Sequence, residues 1–183
     1  TPAPAGATDA RRALESRLFA CTAAMPAALW KKTATPEDIN RTHAQTLCGR
    51  IGIEFVEIGE DFLRARMPVD HRTVQPMGIV HGGASVALAE TLGSVASWLC
   101  LDDSKAAVGL EINANHLRPA TKGWVYGRCT PIHVGRTTHV WQIELTDEDG
   151  RRTCVSRLPM AVIARPPERV RLTGFRLLRE DHV

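Results

Sequence analysis

The chain has 183 residues, 44% hydrophobic and 23% charged, with a formal net charge of +3. That composition fits one soluble globular domain with a sizeable core. The small charge and the scarcity of Tyr and Phe argue against nucleic acid as a partner, and no apolar run approaches the roughly 20 residues of a membrane helix.

Thr1 to Thr8 is rich in Pro, Ala and Gly and reads as a flexible lead. Asp9 is placed to cap a short helix through Ala24, before Pro26. This region lacks the long apolar stretch of a secretory signal. Thr35-Pro36 predicts a second helix start, running to about Leu47. Ile53–Ile58 and Phe62–Met67 read as a strand hairpin around Gly59-Glu60-Asp61, followed by a loop from Pro68 to Val80. Gly82 to Leu101 is the longest helical stretch, with small residues along much of it. Four strands follow: Ala107–Leu117, Trp124–Ile132, Thr138–Thr146 and Thr153–Ile163. Pro166-Pro167 then ends the domain. The order predicts an α+β domain in which a curved antiparallel sheet wraps a long central helix. Residues 1–29 form an N-terminal extension, residues 30–164 the domain and residues 165–183 a tail.

Cysteines stand at 21, 48, 100, 129 and 154, widely spaced and without a C-x-x-C pair. Reduced, partly buried thiols in a cytoplasmic protein are expected, with neither a disulfide framework nor a metal site.

The chemistry concentrates between Gln75 and Ser94. Glu90 is the only acidic residue from His71 to Leu101, and no Lys or Arg lies between Arg72 and Lys105. It therefore has no cation at helical spacing. Such a carboxylate either occupies the helix's one wet stripe or sits in a pocket, where burial would raise its pKa and suit it to act as base or nucleophile. Ser94 shares its face, either to hold a water or to permit close packing. His81-Gly82-Gly83 precedes the helix. These glycines serve a tight turn, or they bring the Gly82 N–H to a carbonyl that develops negative charge. His133-Val-Gly135-Arg136 and Ser156-Arg157 place basic groups near strand ends. They are ordinary surface residues or contacts for phosphates.

From Gln75 to Ser94 the sequence resembles hotdog thioesterases of the aromatic acyl-CoA type. The likeness extends from about Trp30 to Ile163, through Met67-Pro-Val-Asp70, the asparagine-rich run Val108–His116, and Val140-Trp-Gln-Ile-Glu144. It implies a hotdog fold and hydrolysis of acyl-CoA, or of a carrier-protein thioester, without a cofactor. It implies Glu90 as nucleophile or general base and Gly82 as donor to the thioester oxygen. Gln75 and His81 would position the thioester or its thiol, and Ser94 would orient water. It also implies sites shared between two protomers, in dimers or dimers of dimers. Arg136 departs from the expected small hydroxyl residue, and the two ends of the chain have no counterpart. Met77 and Trp98 are candidates to line an aromatic pocket. Two other readings stay open: a hotdog dehydratase pairing His81 with Glu90, and a non-enzymatic acyl-CoA-binding protein.

Overall fold

Thr35 caps the first helix of the computed structural model, which describes residues 29–166. Its Oγ1 accepts from the Asp38 N–H at 3.2 Å, and the Asp38 carboxylate accepts from the Thr35 N–H at 3.2 Å. This reciprocal box starts α1 (Pro36–His43). The helix stops short of the expected Leu47. Thr46 turns its hydroxyl onto the Cys48 N–H at 3.3 Å and begins a separate turn, α2 (Leu47–Arg50). The expected helix from Asp9, Cys21 and most of the tail lie outside the described residues.

The strands are β1 (Glu54–Ile58), β2 (Leu63–Pro68), β3 (Lys105–Gly109), β4 (Asn113–His116), β5 (Trp124–Val134), β6 (Thr138–Thr146) and β7 (Arg152–Ala164). They form one antiparallel sheet in the order β1-β2-β5-β6-β7-β3, with β4 also paired to β7. The single strand expected over Ala107–Leu117 is thus two. The register passes from Gly109↔Met160 to Asn113↔Arg157, so one strand carries an extra residue. At the break Leu110 donates to the Pro159 carbonyl at 3.0 Å, and Pro159 has no N–H to return. β5 runs two residues beyond its expected end, across a bulge between Pro131 and His133. The turn to β6 lies at 135–137.

The central helix, α3 (Gly82–Leu99), packs against the sheet and buries Leu88, Ala89, Leu92, Gly93, Val95, Ala96 and Leu99. Full burial of each leucine contributes about 1.5–3 kcal/mol. Two glycines set the approach. A Cβ on Gly93 would stand 2.5 Å from Leu158 Cδ2, and one on Gly127 would stand 2.5 Å from Leu92 Cδ1. Each leucine fills the space its facing glycine leaves.

Deep in this interface Ser97 Oγ accepts from Trp141 Nε1 at 2.7 Å and lies 3.1 Å from His139 Nδ1. Trp30 stacks on Trp141 with ring centroids 6.2 Å apart and donates to the Gly59 carbonyl at 2.7 Å. Cys100, Cys129 and Cys154 are buried free thiols and Cys48 is half-buried; burial pushes Cys100 up to about 12. Among the described residues, no helix is long and apolar enough to cross a membrane, and no cluster of His, Cys, Asp or Glu could hold a metal.

The glycine–leucine contact predicts a measurable coupling. Gly93→Val should destabilise the protein by about 1–3 kcal/mol through overpacking, and Leu158→Ala by about 2–5 kcal/mol through a cavity. The double variant should lose less than the sum in chemical denaturation, because the cavity accepts the added methyls. Strictly additive losses would contradict the packing.

Candidate active site

The N-terminus of α3 carries unpaired amide donors that its surroundings must satisfy. His81 is the capping residue, and its Nδ1 accepts from the Gly83 N–H at 2.9 Å. The Ala84 and Ser85 amides donate to the His81 carbonyl at 2.9 and 3.2 Å. Among the described residues the Gly82 N–H has no partner. The cap therefore leaves one open amide, with the positive end of the helix behind it.

That amide borders a groove of about 400 Å³ lined by Gln75, Gly82, Ser85, His116, Arg118 and Thr153, among others. Gln75 reaches it from a braced loop. Gln75 N–H donates to the Ile79 carbonyl at 2.9 Å, and Gly78 N–H to the Gln75 carbonyl at 2.8 Å. Gly78 adopts φ +75°, a conformation suited to glycine. His81 N–H ties the loop back to the Thr73 carbonyl at 2.8 Å. The loop rests on Thr73, whose buried hydroxyl donates to the Pro68 carbonyl at 2.6 Å. On the far side His116 Nε2 lies 2.9 Å from where a Gly82 Cβ would be, so Gly82 leaves room for that ring. Gln75 and Gly82 thus line one groove, and His81 ties the loop to the helix start beside it.

The His81 cap also decides its chemistry. A ring accepting at Nδ1 carries its neutral-form proton on Nε2. His81 therefore presents a hydrogen-bond donor and not a base. This is unfavourable for the dehydratase alternative, which needs a proton-abstracting histidine.

Glu90 is elsewhere. It lies eight residues after Gly82 on the same helix, about 12 Å along the axis at 1.5 Å per residue. The side chain is exposed, and no described residue forms a salt bridge or hydrogen bond with it. Its Oε1 lies 3.4 Å from the position a Gly109 Cβ would take, on the edge strand β3. In one chain the carboxylate is on the helix's wet stripe, not in a pocket. Half-buried Ser94 follows four residues on, then Trp98 at 46% exposure. Val108, Leu110 and Ile163 are also exposed nearby on β3 and β7 or just beyond them, and Met77 is 78% exposed at the tip of the Gln75 loop.

The remaining candidates divide. His133 and Arg136 are exposed at the β5–β6 hairpin tip, with half-buried Gly135 between them. Ser156 is buried, and its hydroxyl donates to the Asn113 carbonyl at 2.6 Å, so it holds β4 to β7. Arg157 is exposed opposite Gln142, while Ala161 opposite Thr138 marks the tip. Four residues of strand, about 13 Å, separate those positions. One chain therefore does not gather Arg136 and Arg157 into one site.

Sequence reasoning missed Thr153. A bulge between the Leu145↔Cys154 and Thr146↔Arg152 pairs sets it out of the β6–β7 ladder. It lines the groove at 5% exposure, and its hydroxyl is the only buried side-chain polar atom without a partner among the described residues. A threonine in a strand is ordinary, so only the bulge distinguishes it.

Comparison with known proteins gives a consistent answer. A family described as the Thioesterase superfamily matches residues 77–154. The chain is 51% identical over 135 residues to the 1,4-dihydroxy-2-naphthoyl-CoA hydrolase of Escherichia coli, covering 74% of this chain and 99% of that one. It is 50% identical over 135 residues to the proofreading thioesterase EntH of Cronobacter turicensis, covering 74% and 98%. Among solved structures, a thioesterase from Haemophilus influenzae matches with a TM-score of 0.75 at 51% identity, covering 78% of this chain and 99% of that one.

The orphan hydroxyl gives a prediction independent of activity. Thr153→Val keeps the side chain's shape and removes a buried group that lacks a partner. Its melting temperature should equal or exceed that of the parent. A loss larger than about 1 kcal/mol would show that the hydroxyl is satisfied in the free protein.

Proposed function

This chain belongs to the thioesterase superfamily and is a thioester hydrolase with the hotdog fold, and on that premise we propose that it cleaves aromatic acyl-CoA in sites shared by two copies. What carries the reading is the division of the machinery along one helix. An open amide, Gly82, stands at its start, and an unpaired carboxylate, Glu90, stands about 12 Å farther on. A single chain cannot bring both to one carbonyl. A second copy can, because β3 is a terminal strand of the sheet with an unpaired edge beside Glu90. Exposed Trp98, Val108 and Leu110 supply apolar area for that contact. The same contact would bury Glu90 without a cation, which is the pocket the sequence left open.

In the shared site the thioester oxygen takes the Gly82 N–H of one copy, with Gln75 beside it. Glu90 of the other copy attacks the carbonyl carbon or deprotonates a water that does so. Ser94, one turn on, orients that water. The carbon–sulfur bond breaks, the acyl group gains oxygen, and the thiolate leaves and takes a proton. The Nε2–H of His81 is free to donate to the departing sulfur. Met77 and Trp98 present the apolar surface for an aromatic acyl group. At the hairpin tip Arg136 and His133 face the phosphates of coenzyme A.

Glu90→Gln tests the chemistry. The near-isosteric amide cannot attack or act as a base, so kcat should fall roughly a hundredfold or more while the fold and the melting temperature persist. Hydrolysis should be compared on aryl-CoA, straight-chain acyl-CoA and an aryl carrier-protein thioester, with aryl-CoA preferred. A folded Glu90→Gln protein with near-parental kcat would overturn the role of Glu90. Preference for a straight-chain or carrier-protein substrate would overturn the proposed specificity.

A further inference from the structure

Thr153 is held firmly by its main chain and not at all by its side chain. Its carbonyl accepts from the Leu117 N–H at 2.8 Å and from the Arg118 N–H at 3.3 Å. Its hydroxyl oxygen is closed to solvent and has no partner among the described residues. A buried hydroxyl in that condition costs stability that a valine of the same shape would not. The β6–β7 bulge places the residue there, and bulges beside active sites re-aim a side chain.

The groove supplies the reason for the vacancy on that oxygen. Thr153 and Gly82 both line it. A short path joins them: His116 Nε2 lies 2.9 Å from where a Gly82 Cβ would be, and the next residue, Leu117, donates to Thr153. Ser85 follows Gly82 by three residues on the same face of α3. It too lines the groove, at 7% exposure, and its hydroxyl bonds to no described residue. Two unpaired hydroxyls therefore border the space beside the open Gly82 amide. Val80 and Val125 give its walls apolar area, and no acidic residue is among the described residues that line it. About 400 Å³ of largely apolar space with a few polar groups is the make-up of a small-ligand pocket. A thioester whose oxygen takes the Gly82 N–H has its acyl group at this opening. A bare hydrocarbon ring would leave both hydroxyls unpaired, whereas an oxygen on the ring would pair with them. One staggered turn about the Cα–Cβ bond of Thr153 exchanges its hydroxyl and methyl, which brings the oxygen to the ligand without moving the strand.

We propose that Thr153, with Ser85, is a specificity-determining residue: it hydrogen-bonds an oxygen substituent of the aromatic acyl group and so selects oxygenated over unsubstituted aryl thioesters. The proposal rests on the reading of this site as one for aryl-CoA, and the experiment separates the two. The kcat/KM of the parent and of each variant is measured on benzoyl-CoA and on each monohydroxybenzoyl-CoA isomer. The parent should prefer at least one hydroxylated isomer by roughly five- to tenfold, the scale of one hydrogen bond. Thr153→Val should lose that preference, with benzoyl-CoA kinetics and melting temperature near parental. Thr153→Ser keeps a hydroxyl and should keep most of the preference. Ser85→Ala should weaken it as well, and decides the matter if the Val variant does not fold. A parent that favours no hydroxylated isomer would overturn the proposal alone. So would Thr153→Val and Ser85→Ala variants that keep the parental preference or lose activity equally on both kinds of substrate. Turnover of straight-chain acyl-CoA with none of any aryl-CoA would overturn the aryl reading of the site, and the proposal with it.

Discussion

Leu158 Cδ2 and Leu92 Cδ1 each lie 2.5 Å from the place where a glycine lacks its Cβ, at Gly93 on the helix and Gly127 on the sheet. Two leucines seated over two glycines, from opposite sides of one interface, fix both the depth and the rotation of the central helix. Turning the helix would drive Leu92 off Gly127 and push Leu158 into a neighbouring turn. Packed interiors resist such shifts because the side chains have few free rotamers and little free volume. With the rotation fixed, Leu88, Ala89, Leu92, Val95, Ala96 and Leu99 must face the sheet. Gly83, Glu90 and Trp98 must face away from it, with Ala87 and Ser94 between the two faces. The stripe that carries Glu90 is thus the complement of the packed face.

The beginning of the same helix is governed by hydrogen-bond accounting. An aspartate cap would accept through an oxygen and leave no donor beyond it. His81 caps through Nδ1, and its other nitrogen keeps a proton that points away from the helix. Helix capping uses one nitrogen of the ring, and in the proposed mechanism the other positions the substrate. The cap covers the Gly83 amide and leaves that of Gly82, where the absent side chain admits the ring of His116 and keeps the groove open. A donor fixed in this way needs little reorganisation when charge develops on a bound carbonyl oxygen.

Much of this was legible in the sequence, and for local reasons. The isolation of Glu90 depends only on which residues stand within a turn of it. The helix start depends on His-Gly-Gly, and the strand hairpins on their turn residues. The sequence was misleading where the outcome depends on a neighbouring strand. Ala107–Leu117 has the pattern of one strand, and Pro159 on the facing strand divides it. Ser156 looked like a member of a phosphate site, but strand alternation turns it inward onto Asn113. Thr153 gave no signal, because a bulge is a property of a pair of strands. His139 gave none either, since its partner Ser97 is far from it in sequence.

The central claim is that Glu90 of one copy works with Gln75 and Gly82 of another. Two variants that are each inactive, Glu90→Gln and Gln75→Ala, can be unfolded, mixed and refolded together, with subunit exchange verified by native mass spectrometry. In a mixed dimer one of the two sites receives both defects and the other receives neither. The account predicts that thioester hydrolysis returns, to about one quarter of the parental rate when mixing is random, since half of the dimers are mixed and each has one intact site. Mixed dimers confirmed by mass and still inactive would contradict it.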